Sequence, residues 1–485
     1  MNEKKNQYWP GLLVAGFLAV VEGLFLLGLA KTGLLPVAYL LIGVGGLLVL
    51  VGAVYLLVRR FDRKGRFAVG CVVTAVLVAF TGVAYYYVGH GVGALGLITQ
   101  PESQVAGVGV YVAAEDAADS IQATKGYTFG VLATLDRSNT DAAADQLATL
   151  LGEKLEIREY AGLSGLVDGL LTAGEVDALL LNVAFLDLLE DMEGYETVAD
   201  RLRQVFMVQV TETTTTTQPT QPEPEVEDTV FTMYISGIDA TGGISVKSRS
   251  DVNILATVNT ETGQVLLIST PRDYYVPLSI SHGIPDKLTH AGIYGIDVSV
   301  DTLEMLYDTQ IDYYFRVNFT GFEKIIDALG GITVHSQYAF TSKKQKFVQG
   351  ANQLNGAQAL IFSRARYTVP GGDRQRGRNQ MAVIKGVIDK MTSPALLGNF
   401  TAIMDGVANS FETSVPYEEI TAIVRQQLSR GTKWNVTTYS VDGTGATRAV
   451  YSLGSKAYVM LPDEETVAHA KELIKQVENG EIPTP

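Results

Sequence analysis

VFTMYISGIDATGGISVKSRSDVNILATVNTETGQVLLISTPRD (residues 230–273) holds three apolar runs separated by polar punctuation. VFTMYISGID, VNILATVNT and QVLLISTP each have the length and composition of a buried strand. Glu261-Thr262-Gly263 supplies turn chemistry before Gln264 and joins the last two runs as a hairpin. The charges fall at the strand ends. Asp239 closes the first run, Arg249 and Asp251 open the second, and Arg272 and Asp273 follow the third. Aspartates so placed project into the mouth of a sheet rather than its core. Two carboxylates brought together there can hold a divalent cation, and Mg2+ takes one or two and leaves part of its shell to phosphate. Aspartates at loop starts also serve as caps and turns, so spacing alone leaves both readings open.

Downstream, SVDTLEMLY and GFEKIIDAL have helical spacing, the second closed by Gly330-Gly331. DYYFRVNF and ITVHS read as strands. Together these segments predict a mixed α/β domain, a sheet flanked by helices, over residues 229–477, with its motif core at 230–392. NVTTYSV, AVYSL and a helix near 463–477 finish the same body, and residues 478–485 read as frayed. Within it, SRARYTVPGGDRQRGRNQ (363–380) packs five arginines around a single acid, Asp373, in a chain with 37 basic and 52 acidic residues. The guanidinium fork matches phosphate oxygens in a bidentate way. Asp373, Arg376 and Gln380 stand at i, i+3 and i+7 of a helix whose same face continues as Ile384, Val387 and Met391, a core stripe. The polar opening turns therefore point at a cavity, where free backbone N–H groups favour an anion. Arg374 and Arg378 face elsewhere. Arg364 and Arg366 end the preceding helical stretch, NGAQALIFSRAR, a place where the helix dipole alone would accommodate cations.

Residues 1–95 read as a membrane anchor of three helices, about 11–31, 33–58 and 67–90, each long enough to cross the hydrocarbon layer. A cleaved leader would have one short apolar core. MNEKK precedes the first span, and RRFDRKGR (59–66) separates the second from the third, which puts the N-terminus in the cytoplasm and everything after the third span outside. The single cysteine, Cys71, allows no internal disulfide and suits a bacterial cell surface. Glu22 lies mid-span, where an acid is either functional or paired with a neighbouring helix. Residues 104–210 alternate strand and helix patterns (VGVYVAA, TFGVLATL, KLEIREYA, DALLLNV, FMVQV), which predicts a small accessory α/β domain with a mostly parallel sheet. With nineteen acidic and six basic residues between 101 and 210, it carries most of the net charge of −15 and reads as a solvated spacer or docking module. Its layout looks like one lobe of a periplasmic binding protein. TETTTTTQPTQPEPEVED (211–228) is a semi-extended linker.

Several chemistries are excluded. Gly372, Gly377 and Arg378 imitate a P-loop, but no strand precedes them and arginine stands where lysine is needed. The five histidines show no zinc spacing, and there is no GxSxG elbow. An arginine segment outside the membrane does not meet nucleic acid.

YISGID, KSRSDVNILATVN, ISTPRD, DKLTHA, FEKIIDALGGITV, QLNGAQALIFSRAR and GDRQRGRNQ occur in the order that marks the LytR-CpsA-Psr family, and the resemblance covers roughly 230–392. Such proteins are membrane-anchored bacterial phosphotransferases with an extracellular catalytic domain. They move anionic glycopolymers, such as teichoic acid or capsular polysaccharide, from a polyprenyl pyrophosphate carrier to peptidoglycan. The resemblance implies that Asp239 and Asp251 hold Mg2+ (or Mn2+). It also implies that Arg249, Arg272, Arg364, Arg366, Arg376 and Gln380 contact the pyrophosphate, joined by Lys287. Arg272 and Arg366 would neutralise the leaving group, and Asp273 or Asp373 could take the acceptor's proton. Many members have arginine before the final glutamine, where this chain has Asn379. A receptor that holds the lipid-linked polymer without chemistry, and a pyrophosphatase that uses water as acceptor, would use the same phosphate grip.

Overall fold

The computed structural model describes residues 8–98, 105–189, 192, 194–195, 197–211, 229–238, 244, 247–392, 407 and 411–485; Asp239 and the linker after residue 211 lie outside the described residues. Two compact units are present.

The first contains α1 (Trp9–Lys31), α2 (Val37–Val58) and α3 (Lys64–Ile98), each with a stretch long and apolar enough to span a bilayer. Gly11 lets α1 approach the backbone at Val58, where a Cβ would collide. Glu22 of α1 accepts a hydrogen bond from Thr81 Oγ1 of α3 at 2.5 Å, so the mid-span acid is paired across helices. The amphipathic helix Tyr417–Arg430 belongs to this unit, its Tyr417 hydroxyl donating to Thr32 O at 2.9 Å. The sequence counts that helix with the mixed domain. Contacts distant in sequence assign it here.

The second unit begins with a five-stranded sheet: β1 (Val105–Ala113), β2 (Thr128–Leu132), β3 (Glu156–Tyr160), β4 (Ala178–Asn182) and β5 (Leu202–Thr211), in the order β3-β2-β4-β1-β5. The sheet is mixed rather than mostly parallel. β2 runs parallel to β3 and β4, but β1 is antiparallel to both β4 and β5. An apolar run has no direction, and direction depends on which end the connection leaves. Helices α4 (Arg137–Leu151) and α5 (Leu163–Leu171) cover the faces.

The larger, second body of this unit follows. β6 (Val230–Ile238), β7 (Ser250–Asn259) and β8 (Gln264–Thr270) form an antiparallel meander whose last hairpin turns at Gly263 (φ 70°). A ribbon of β9 (Tyr275–Pro277) and β10 (Pro285–Lys287) precedes α6 (Leu288–Tyr294) and α7 (Ile296–Tyr307). β11 (Tyr313–Asn318) runs parallel to β6, and α8 (Phe319–Ala328) returns to β12 (Ile332–Ser336). β13 (Phe340–Ser342) pairs with β14 (Gln345–Phe347), and β15 (Gly350–Leu354) pairs with β12 before α9 (Gly356–Ser363) and α10 (Gly372–Met391). β16 (Phe411–Thr413) and β17 (Asn435–Ser440) complete the main sheet, ordered β16-β11-β6-β7-β8-β17. β18 (Gly443–Ala449), β19 (Lys456–Pro462) and α11 (Glu464–Glu478) end the chain. Tyr234, Leu255 and Ile268 pack on α7 and α11 from one face, while Ile254, Ala256 and Leu267 meet Met381 of α10 on the other.

AVYSL begins on the last residue of β18. Its other residues form the turn between β18 and β19, whose Gly- and Thr-rich first strand lacks an apolar signature. The last residues are held rather than frayed, Thr484 N donating to Gln476 Oε1 and Glu481 N to Gln476 O. The accessory domain is not a solvated spacer either. Leu166, Leu179, Phe185 and Leu188 share one apolar core with Ile293 of α6 and with Val450, Leu453 and Val459 of the β18–β19 hairpin.

Candidate functional site

The site starts at a register shift between β6 and β7. The bulge at Gly237/Ile238 places Ser250 opposite Ile238 and turns Asp251 towards the sheet's open end. Beneath it, Ser250 Oγ is bonded to Ser236 Oγ (2.7 Å) and the Tyr234 hydroxyl (2.8 Å), so the strand start is fixed from inside. Pro271 ends β8 and Arg272 folds back, its Nη1 donating to Asp251 Oδ1 at 2.8 Å. Thr289 Oγ1, from α6, donates to the same oxygen at 3.4 Å. Among the described residues no hydrogen bond reaches Asp251 Oδ2.

The second wall is α10. Its Gly377 lies so close to β8 that a Cβ would come within 2.5 Å of Ser269 Oγ, and at Gly386 one would come within 2.7 Å of Thr333 O. Only glycines let this helix settle there, and settling brings its polar first turns over Arg272. Arg376 Nη2 lies 2.7 Å from Asp373 Oδ1, one turn earlier, and Arg366 Nε lies 3.7 Å from the same atom. Burial pushes the Arg376 guanidinium below its ordinary pKa; Asp373 and Asp251 oppose that shift, and Arg272 and Arg366 reinforce it. A cation held among other cations is best compensated by an anion placed between them.

Asp251, Arg272, Asp373, Arg376 and Gln380 thus line one open cleft, together with Ser269, Thr270 and Ser440. The other expected residues stand around it. Asp273 is buried between Arg272 Nε and Lys287 Nζ, each 3.6 Å from its Oδ1, and does not line the cleft. Lys287 is buried, placed opposite Tyr275 by the β9–β10 ribbon. Arg249 is buried at the approach to β7, and Arg364 caps α9 with its guanidinium 4.1 Å above the Phe319 ring.

Three features depart from the sequence reading. Arg374 does not face away: it lines the cleft rim, bound to Gly443 O (2.7 Å) and Asp442 (2.6 Å) at the base of the β18–β19 hairpin. The buried residues of α10 are Gln375, Asn379, Met381, Val383 and Gly386; of the expected row, Ile384 packs against the Met381 cluster, whereas Met391 is 44% exposed. The helix is wedged between α9 and β12, which rotates its buried side away from the expected row. Asn379 lies in that wedge, Nδ2 donating to Phe362 O and Oδ1 accepting from Gln375. Its replacement of arginine therefore falls outside the cleft lining.

A buried network passed unnoticed in DKLTHA. Asp286 Oδ1 meets His290 Nδ1 at 2.7 Å, and its Oδ2 accepts from Ser452 N (2.8 Å) and Ser452 Oγ. Burial alone would raise the Asp286 pKa, but His290 and Ser452 bring it below the ordinary carboxylate value. The i, i+4 spacing of Asp286 and His290 was the available signal. The network ties α6, which carries Thr289, to the turn that packs on the accessory domain.

The LytR_cpsA_psr family model matches residues 191–474. The polyisoprenyl-teichoic acid–peptidoglycan teichoic acid transferase TagU of Bacillus subtilis (strain 168) is 34% identical over 216 residues, 44% of this chain and 69% of that protein. The protein of the same name from Enterococcus faecalis (strain ATCC 700802 / V583) is 32% identical over 250 residues, 51% of this chain and 80% of that protein. Among solved structures, B. subtilis TagV aligns over 53% of this chain and 100% of its own, at 26% identity and a TM-score of 0.45.

Proposed function

Because the chain belongs to the LytR-CpsA-Psr family, we propose that it transfers an anionic glycopolymer of the teichoic acid or capsular class from a polyprenyl diphosphate to peptidoglycan. The observation that carries this reading is the convergence of Asp251, Arg272, Asp373, Arg376 and Gln380 from β7, the end of β8 and α10 on one cleft. A diphosphate bears two to three negative charges, and Arg272 and Arg376 face it directly, with Arg366 behind Asp373. Arg249, Arg364 and Lys287 add positive potential around it.

The acceptor hydroxyl oxygen attacks the sugar-linked phosphorus, the bond to the bridging oxygen breaks, and polyprenyl phosphate leaves. Phosphoryl transfer of this kind needs positioning and charge neutralisation above all. Asp373 is placed to take the hydroxyl proton because it lines the cleft, whereas Asp273 is enclosed by Arg272 and Lys287. Asp251 suits a divalent cation in that one oxygen is oriented by Arg272 and Thr289 and the other points into a site lined by phosphate-type donors. Asp239 would be its companion, since Ile238 and Ser250, the residues before the two aspartates, are paired. A bound Mg2+ or Mn2+ would neutralise charge on the diphosphate. The lysine and arginine bias around the spans supports a cytoplasmic N-terminus and an extracellular catalytic domain, where both glycans lie.

The test is the full chain in detergent micelles with lipid-linked polymer, peptidoglycan and Mg2+. Covalent polymer–peptidoglycan and stoichiometric polyprenyl phosphate are expected, both lost in Asp251→Ala. Polyprenyl phosphate released without acceptor would mean hydrolysis instead. Undiminished transfer by Asp251→Ala would overturn the metal-assisted reading.

A further inference from the structure

The segment between α9 and α10 presents an aromatic ring beside the cleft in an unusual way. Tyr367 is 91% exposed, although the residues around it are pinned: Ala365 is 2% exposed, Val369 is 8% exposed, and Gly371 and Gly372 hold positive φ values of 87° and 56°. A ring on a slack loop would fold back onto apolar surface, whereas this one is held out by its own backbone. The Arg366 guanidinium lies 5.3 Å from the ring centroid, and Arg366 also reaches to 3.7 Å from Asp373 in the cleft. The ring therefore stands one residue from a cation that reaches Asp373, a residue of the cleft lining.

We infer that Tyr367 is a stacking platform for a pyranose ring adjoining the diphosphate. This rests on the transferase reading for the identity of the diphosphate. A sugar bonded to phosphate must lie within a bond or two of the arginines. One face of a pyranose presents C–H groups of slight positive polarisation, complementary to the negative face of an aromatic ring. The sugar belongs either to the donor's first residue or to the acceptor glycan, and the two are separable by measurement.

The experiment compares wild type, Tyr367→Ala and Tyr367→Phe as full chains in micelles. Binding is measured to a polyprenyl diphosphate bearing a disaccharide and to the same lipid without sugar, and KM is measured for peptidoglycan. Stacking predicts that Tyr367→Ala weakens the sugar-bearing lipid, or raises the peptidoglycan KM, by about ten-fold. Tyr367→Phe stays near wild type, binding of the sugar-free lipid is unchanged, and so is the melting temperature. A shift in lipid affinity assigns the sugar to the donor, and a shift in KM alone assigns it to the acceptor. Equal weakening of both lipids, or no change in any arm, overturns the platform. Should wild type transfer nothing, the lipid comparison decides the platform by itself, and only the transferase reading falls.

Discussion

The two sheets of the second unit are both mixed and both well packed, yet they treat charge in opposite ways. Among the described residues, the accessory sheet domain buries no Asp, Glu, Lys, Arg or His: its buried polar groups are Thr124, Asn139, Thr140 and Asn182. Its many acids are spread over its surface, where hydration is retained. The catalytic body buries Lys247, Arg249, Asp273, Asp286, Lys287, His290, Arg316 and Glu412. Desolvating each ion costs several kcal/mol before any pairing offsets it. A domain that only has to pack avoids that cost, and a domain that has to hold an anion accepts it. The contrast locates function without reference to any motif.

The comparison can be broken most sharply at the cleft. Arg272→Ala should lower transfer by about 1,000-fold, since it removes both a charge facing the diphosphate and the donor that orients Asp251, while leaving far-UV circular dichroism unchanged. Normal turnover would mean that the buried charge is structural. Next in size is the pair at the sheet edge, where Arg316 Nη1 lies 3.9 Å from Glu412 Oε2 and the Tyr314 hydroxyl donates to Glu412 Oε1 at 2.8 Å. Arg316→Met leaves a buried carboxylate uncompensated and should destabilise by about 4 kcal/mol in urea unfolding. The Arg316→Met/Glu412→Leu double variant should recover most of that loss.

Phe185→Ala probes the apolar side of the contrast. Phe185 is 1% exposed and packs edge-on against Tyr294 at 6.3 Å, at the seam between accessory and catalytic parts. A loss of about 3 kcal/mol is expected. Because the seam is one continuous core, a single calorimetric transition should shift as a whole; two separating transitions would show the parts to be independent. Asp286→Asn should cost about 2 kcal/mol at neutral pH through its bonds to His290 and Ser452. Since Asp286 titrates below the ordinary carboxylate range, its contribution is complete above the unfolded value and disappears as pH falls through the lowered one. Urea midpoints of wild type and variant should therefore converge as the pH falls below about 4. Smallest of all, Arg374→Ala breaks an ion pair with Asp442 in which both side chains are 43% exposed, and should change stability by less than about 1 kcal/mol.

Much of the frame was legible beforehand because the signals are local. Apolar runs flanked by turn residues marked β6, β7 and β8, Gly330-Gly331 closed α8, and three long apolar stretches matched α1 to α3. The face shared by Asp373, Arg376 and Gln380 followed from helix geometry and does line the cleft. The Asn379 departure looked consequential in sequence and proved to lie in the α9–α10 wedge, because rotation of α10 is set by Gly377 and Gly386 against two different strands. The β18 strand, the seam beneath the accessory domain and the rim position of Arg374 had no local signature at all.

From the order of residues alone came the element types, the membrane spans, the family motifs and the stock of charged groups, since periodicity, turn chemistry and composition act over a few neighbouring positions. Only the tertiary structure decided which of those groups share a cleft, which are enclosed behind it, and that the acidic domain is welded to the catalytic body. Those outcomes depend on contacts between residues tens to hundreds of positions apart, and the free energy of such contacts is written in no single segment.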